Sequence, residues 1–261
     1  MAVSQTGFTV ADEGYGLNFG THVGDSLDEV NRRRAMLEVD VGAPILWLNQ
    51  VHGVEVCTAT SMIAKESDVS PPSADASVAL NSDTALAIMT ADCLPAVFVA
   101  RNAEGVALGV AAAHAGWKGL LNGVLSNTAL SLAQATGQAV SQVSVWLGPA
   151  IGPQSFEVGG EVREAFCLRF SGLDFHVDFN DGLNNGVQHA FKPSQNPGKW
   201  LADIYQLAKI DLNQLGVKQV EGGNPPQDTF TDLNWFSHRR AALQGRQAGR
   251  MATLVRLIPQ K

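Results

Sequence analysis

Short apolar runs recur along the chain at 45–48, 54–57, 85–89, 96–99, 106–111, 143–147 and 251–258, separated by Gly, Pro, Asn and Asp. Their lengths and bounding turn residues predict β-strands. Several runs are apolar at every position rather than at alternate ones, so the strands should be buried on both faces, in sheets covered by helices or by another sheet. The clearest helical pattern spans 200–215, where Leu201, Ile204, Ala208, Leu212 and Leu215 trace one face and Gly216 supplies a stop. Leu121, Val124, Leu125 and Leu132 predict a second helix. It would begin just after HAGWKG, with its N-terminal amides toward whatever binds near His114. Gly116 and Gly119 suit a tight strand-to-helix turn equally well. VEVC, ending at Cys57, reads as a strand, and EVREAFCLRF, around Cys167, as a helix. The stretches 65–73 and 180–199 read as polar loops. Core-like segments flank both loops and no repeat divides the chain. The expectation is a single compact domain over residues 1–261, of α+β or α/β class, with mixed β-sheets covered by helices.

Composition narrows the partners. A net charge of -7 argues against general affinity for nucleic acid or an anionic membrane, which are held by clustered cations. Any anionic ligand must therefore meet a local cationic pocket. MAVSQTGFTV lacks a basic stretch followed by an apolar one, and no apolar run is long enough to span a bilayer. A soluble, cytoplasmic protein with no obligate protein partner is expected. Three cysteines without a CxxC pair fit a reducing compartment. Cys57 and Cys167 read as small hydrophobes. Cys93, preceded by Asp92 and followed closely by Pro95, marks a strand end instead.

The familiar catalytic signatures are missing: there is no GxxxxGK[ST] loop, no GxSxG elbow and no HExxH helix. GYGLNFG approaches GxGxxG but has the wrong last spacing and precedes any good strand, so it reads as a turn. What remains is His52 in NQVHG, Cys93 in TADCLP and His114 in AAHAGWKG, each joining an apolar run to a Gly- or Pro-marked turn. One thiol and two imidazoles suit zinc, which in catalytic sites keeps a fourth position open. Ligands so widely spaced match no local metal motif, and each His also suits a core or surface role.

Read in order, GLNFGTHVGD, NRRR, NQVHG, ADASV, TADCLP, HAGWKG, LGPAIGPQSFEVGGEV, FSHRR and GRMATL resemble the YfiH family of purine nucleoside phosphorylases, formerly described as laccase-like multicopper polyphenol oxidoreductases. The ordered set spans almost the whole chain. By position, the resemblance makes His52, Cys93 and His114 the metal ligands, with zinc the expected ion and copper the alternative. It implies phosphorolysis of adenosine, inosine and 5'-methylthioadenosine together with deamination of adenosine, so purine nucleosides and phosphate are the expected partners. Cys93, His114 and Asp92 would carry the chemistry. Lys118, Arg239, Arg240 and Arg250 are candidate phosphate anchors, because guanidinium forks match phosphate oxygens, and Gln50 joins them as a substrate-binding candidate. Gln50, Asp75 and Asp92 are candidates to orient the ligands, and Asp92, Glu157 and His238 to shuttle protons. His22, His176 and His189 match no family role, which leaves surface or packing duties. Two departures stand out: Asp228-Thr229 replaces the relatives' common Cys-Thr, and His238 replaces a more familiar Tyr.

The resemblance also extends to the fold of bacterial toxin cysteine hydrolases, which supplies a competing reading: a Cys93/His114 thiolate-imidazole pair acting on an amide. A copper-dependent phenol oxidase ranks third, since six His are too few for multicopper electron storage. The non-enzymatic reading is a metal-stabilised binding module linked to cell-wall precursor quality.

Overall fold

A computed structural model of the chain describes residues 3–6, 16–59, 70–171 and 186–258. His176, the loop residues 65–69 and 180–185, and the N-terminal turn residues 14 and 15 lie outside the described residues. All seven predicted strands are present, in a mixed α/β arrangement of stacked sheets. The largest sheet has six strands in the order β12 (Gln219–Glu221), β8 (Val143–Leu147), β6 (Leu94–Arg101), β7 (Ala107–Ala115), β4 (Ala76–Ala79), β3 (Val56–Thr58). A four-stranded sheet runs β1 (Val3–Thr6), β13 (Met251–Val255), β5 (Ala85–Thr90), β2 (Ile45–Leu46).

Side chains alternate between the two faces of a strand, and that alternation explains the continuous apolar runs. Along β6, Leu94, Ala96, Phe98 and Ala100 join one core, while Val97 and Val99 join another. The first core is shared with helices α3 (Val124–Thr136), α4 (Gly160–Arg169) and α5 (Ile204–Leu215). The second lies between the two sheets, where Val97, Val99 and Val110 meet Leu86 and Ile88 of β5. The outer face of β5, through Ala85, Ala87 and Met89, packs with Leu37 of α1 (Leu27–Val41). The layers therefore run helix, sheet, sheet, helix. Gly109 sits where α3 crosses β7: a Cβ there would lie 2.8 Å from Thr136 Cγ2 and 3.0 Å from Leu132 Cδ1, so only glycine admits this approach.

Three expectations change. Residues Lys199–Ala202 form strand β11, between β9 (Glu157–Gly159) and β10 (Phe191–Pro193), so the helix predicted from 200 starts at Ile204. Asp203 marks the boundary by accepting a hydrogen bond from Gln206 N at 2.9 Å, and Leu201 matched the helical face only by its spacing. The helix predicted over 121–132 is broken at Gly123 (φ 96°) into α2 (Trp117–Asn122) and α3. The long helix therefore begins away from His114, and only the short α2 starts beside it. Finally, part of the polar stretch 180–199 is ordered as a 3-10 turn over Val187–Ala190, carrying exposed His189, followed by β10. The sequence pattern had not announced α1, because Val30 and Leu37 are its only buried side chains. Among the described residues, no helix is long and apolar enough to cross a membrane.

Candidate metal and active site

His52, Cys93 and His114 come from three segments and converge. One ligand atom from each lies within 4.8 Å of the others, and Cys93 Sγ is 3.9 Å from His52 Nε2. The backbone makes this possible through two unusual residues. Asp92, in the tight connection between β5 and β6, has φ 82°, and His52 has φ 60°. Left-handed conformations cost a non-glycine residue about 1–3 kcal/mol and persist where surrounding bonds over-determine them. Both are so held.

For His52 the restraint is Asp75, whose side chain is fully buried at the edge of β4. Asp75 Oδ1 accepts from His52 N (2.9 Å) and from His114 Nδ1 (2.8 Å), and Oδ2 accepts from Val51 N (3.1 Å) and Gly53 N (2.7 Å). Burial alone would raise the Asp75 pKa, but His114 and these amides hold it below the usual carboxylate value. The ionised carboxylate holds a proton on His114 Nδ1 and so turns Nε2 toward Cys93. Burial likewise opposes a Cys93 thiolate, yet His114 and His52 bring the thiol down to about 6, while Cys93 and Asp75 raise His114 to about 9. Both shifts favour a thiolate–imidazolium pair in the metal-free cluster.

For Asp92 the restraint comes from the C-terminal segment. Oδ1 accepts from Thr229 Oγ1 (2.7 Å), and Oδ2 from Ser237 Oγ (3.1 Å) and Arg239 N (2.7 Å). All three donors are committed to holding the β5–β6 turn, so the carboxylate acts as a clamp. Gln50 is similarly engaged, donating to Met89 O (2.7 Å) and accepting from Met89 N (2.8 Å). Asp228 accepts from Gly152 N, Phe230 N and Ser155 Oγ.

Two hollows meet at the cluster. The larger, about 610 Å³, has apolar walls from Trp117, Ile151, Phe156 and Val158 and polar groups from Lys118, Glu157 and Arg239. The smaller, about 180 Å³, is lined by His22, Gln50, Thr90, His114 and Arg250, and both hollows share His52, Ala91, Cys93 and His238. The cationic candidates thus separate. Lys118 and Arg239 face the larger hollow and Arg250 the smaller. Arg240 donates to the carbonyls of Thr229, Phe230 and Trp235 and serves the wall itself. Glu157 accepts from Ser194 and Asn196, whose bonds hold its carboxyl below the usual range, so it rests as a carboxylate. His22, exposed as expected of it, also lines the smaller hollow. Sequence reasoning missed Thr90, which lines the smaller hollow, and Thr229 and Ser237, whose bonds to Asp92 join residues 137 and 145 positions apart.

The donor set fits a zinc-class ion. Two imidazoles and a low-pKa thiolate, brought within 4.8 Å of one another, are suitable ligands. Three protein ligands would leave a fourth position of a zinc-class ion open. Among the described residues, no other group of three His, Cys, Asp or Glu side chains has this spacing.

A family model described as multi-copper polyphenol oxidoreductase laccase matches residues 2–258. The chain is 43% identical over 241 residues to a purine nucleoside phosphorylase of Pseudomonas aeruginosa, covering 92% of this chain and 85% of that one. It is 40% identical over 245 residues to the purine nucleoside phosphorylase YfiH of Escherichia coli, covering 93% and 86%. Among solved structures, a Neisseria meningitidis protein matches with a TM-score of 0.78 and 37% identity, covering 98% of this chain and 93% of that one.

Proposed function

The chain belongs to the family described as multi-copper polyphenol oxidoreductase laccase, and from that membership we propose that it is a zinc-dependent purine nucleoside phosphorylase that also deaminates adenosine. The observation that carries the reading is the three-donor cluster opening onto an apolar-walled cleft of about 610 Å³, within the size range of small-molecule sites. The names of the relatives at 40–43% identity support the phosphorylase part of it. Multicopper electron storage needs more imidazoles than six His supply.

His52, Cys93 and His114 would hold the ion, which when bound supplies Lewis acidity for stabilising negative charge. The apolar walls and Trp117 receive the purine of adenosine, inosine or 5'-methylthioadenosine, and exclude water from the sugar. In phosphorolysis an oxygen of hydrogen phosphate bonds to ribose C1', the C1'–N9 bond breaks, and its electron pair leaves with the base. The proton that hydrogen phosphate gives up balances the one the base takes. Deamination replaces the C6 amino group with the oxygen of water and releases ammonia. His238, which borders both hollows, would pass protons between them.

Metal-loaded protein incubated with adenosine should give adenine and ribose 1-phosphate only when phosphate is present, and inosine without it. Equal base release without phosphate overturns the assignment. One observation favours a second reading: Asp75, His114 and Cys93 form the contact chain of a thiol hydrolase. That reading requires metal-free protein to be active on an amide and to form an acyl adduct at Cys93.

A further inference from the structure

We propose that the smaller hollow is an anion subsite that takes inorganic phosphate against Arg250, His22 and Thr90, and that residues 16–25 serve to build it. The identity of the anion rests on the phosphorylase reading; the existence of the subsite rests on the geometry.

At about 180 Å³ the hollow is too small for a nucleoside, and its shared wall of His52, Cys93 and His238 puts its occupant directly beside whatever fills the larger cleft. Arg250 supplies the charge. It is half-buried, its Nη1 donates only to the carbonyls of Ala248 (2.7 Å) and Gly249 (3.2 Å), and among the described residues it forms no ion pair. A guanidinium drawn out of water without a carboxylate partner is costly, and a bound oxyanion offsets that cost through charge-assisted hydrogen bonds. Thr90 adds an independent sign: it is 1% exposed, and its buried hydroxyl has no hydrogen-bond partner among the described residues. Such a group calls for a ligand or an ordered water.

The segment GLNFGTHVGD sets this arrangement. Asn18, fully buried, accepts from Gly20 N (2.9 Å) and Arg250 N (2.8 Å) and donates to Gly20 O (3.0 Å) and Asp25 Oδ2 (3.0 Å). Phe19 N donates to Arg250 O (2.9 Å), and Arg33 pairs with Asp25 at 2.6 Å. Gly20 leaves the path of the Arg250 side chain open, since a Cβ there would lie 2.8 Å from Arg250 Cγ. Two residues further on, His22 reaches the hollow from the same turn.

The test titrates metal-loaded protein with inorganic phosphate by calorimetry and separately with adenosine, checking metal content and melting temperature for each variant. Arg250→Gln should weaken phosphate binding by about tenfold or more, while adenosine affinity changes less than about twofold. Gly20→Ala, which keeps every charge, should weaken phosphate binding in the same direction by displacing Arg250. Arg246→Gln removes an exposed cation whose side chain meets Gln244, and should leave phosphate binding unchanged. Absence of phosphate binding in the unaltered protein, unchanged phosphate affinity in folded Arg250→Gln, or an equal loss of adenosine affinity overturns the subsite. Phosphate binding that follows these variants in a protein unable to cleave nucleosides upholds the subsite and rejects the phosphorylase reading.

Discussion

Asp75 and Asp92 are both buried carboxylates that accept several hydrogen bonds, yet they join different parts of the molecule. Asp75 ties the turn bearing His52 to the imidazole of His114, so its effect falls on the metal ligands. Asp92 ties the turn bearing Cys93 to Thr229, Ser237 and Arg239, so its effect falls on the wall of the cleft. A carboxylate near a metal cluster therefore cannot be assigned to proton transfer from its position alone. Donors that already occupy its oxygens decide whether it orients a ligand, braces a wall or remains free for chemistry.

The sharpest way to break this comparison is to neutralise each carboxylate without changing its size. Asp75→Asn places an amide NH₂ against groups that themselves donate, and removes the charge that fixes the His114 tautomer. Metal affinity should fall by about 10–100-fold, measured by competition with a chromophoric chelator. Asp92→Asn should leave metal affinity within about threefold, because no metal-ligand imidazole touches it. Its effect should instead appear as lost stability of about 2 kcal/mol, from weakened bonds to the C-terminal segment, seen as a drop of about 4–8 °C in melting temperature. If Asp92→Asn loses metal as severely as Asp75→Asn, the division of roles fails.

The same contrast explains what the sequence revealed. The strands were legible because burial on both faces left uninterrupted apolar runs, as in β5 and β6. Helix α1 was obscure because it buries only Val30 and Leu37, although Ser26 accepting from Glu29 N and the left-handed Gly42 mark its ends. At the site, His52, Cys93 and His114 were legible by residue type, since few side chains suit a metal, and the family resemblance identified them as a set. The arginines were not. Arg239, Arg240 and Arg250 look equivalent in sequence, but one main-chain bonding pattern consumes Arg240 while another leaves Arg250 beside a hollow. His22 and Thr90 carried no distinguishing local signal at all.

The smallest effect expected concerns the proton shared by the metal-free cluster. Cys93 lies near 6 against an ordinary thiol value of 9.0, so the thiolate should be present above about pH 6 and be lost as pH falls through it. The ultraviolet band of the thiolate in metal-free protein, corrected with Cys93→Ser, measures this directly. Asp75 helps keep His114 positive, and that charge stabilises the thiolate. Asp75→Asn should therefore move the midpoint upward by about one pH unit, equivalent to roughly 1.4 kcal/mol of lost differential stabilisation. Asp92→Asn should move it far less, because no imidazole donates to Asp92 and its partners belong to the C-terminal wall. Equal movement in both variants would mean that the two carboxylates act on Cys93 through general charge, with the hydrogen bond to His114 contributing nothing particular. A midpoint near 9 in the unaltered protein would remove the imidazolium-thiolate pair from the metal-free state.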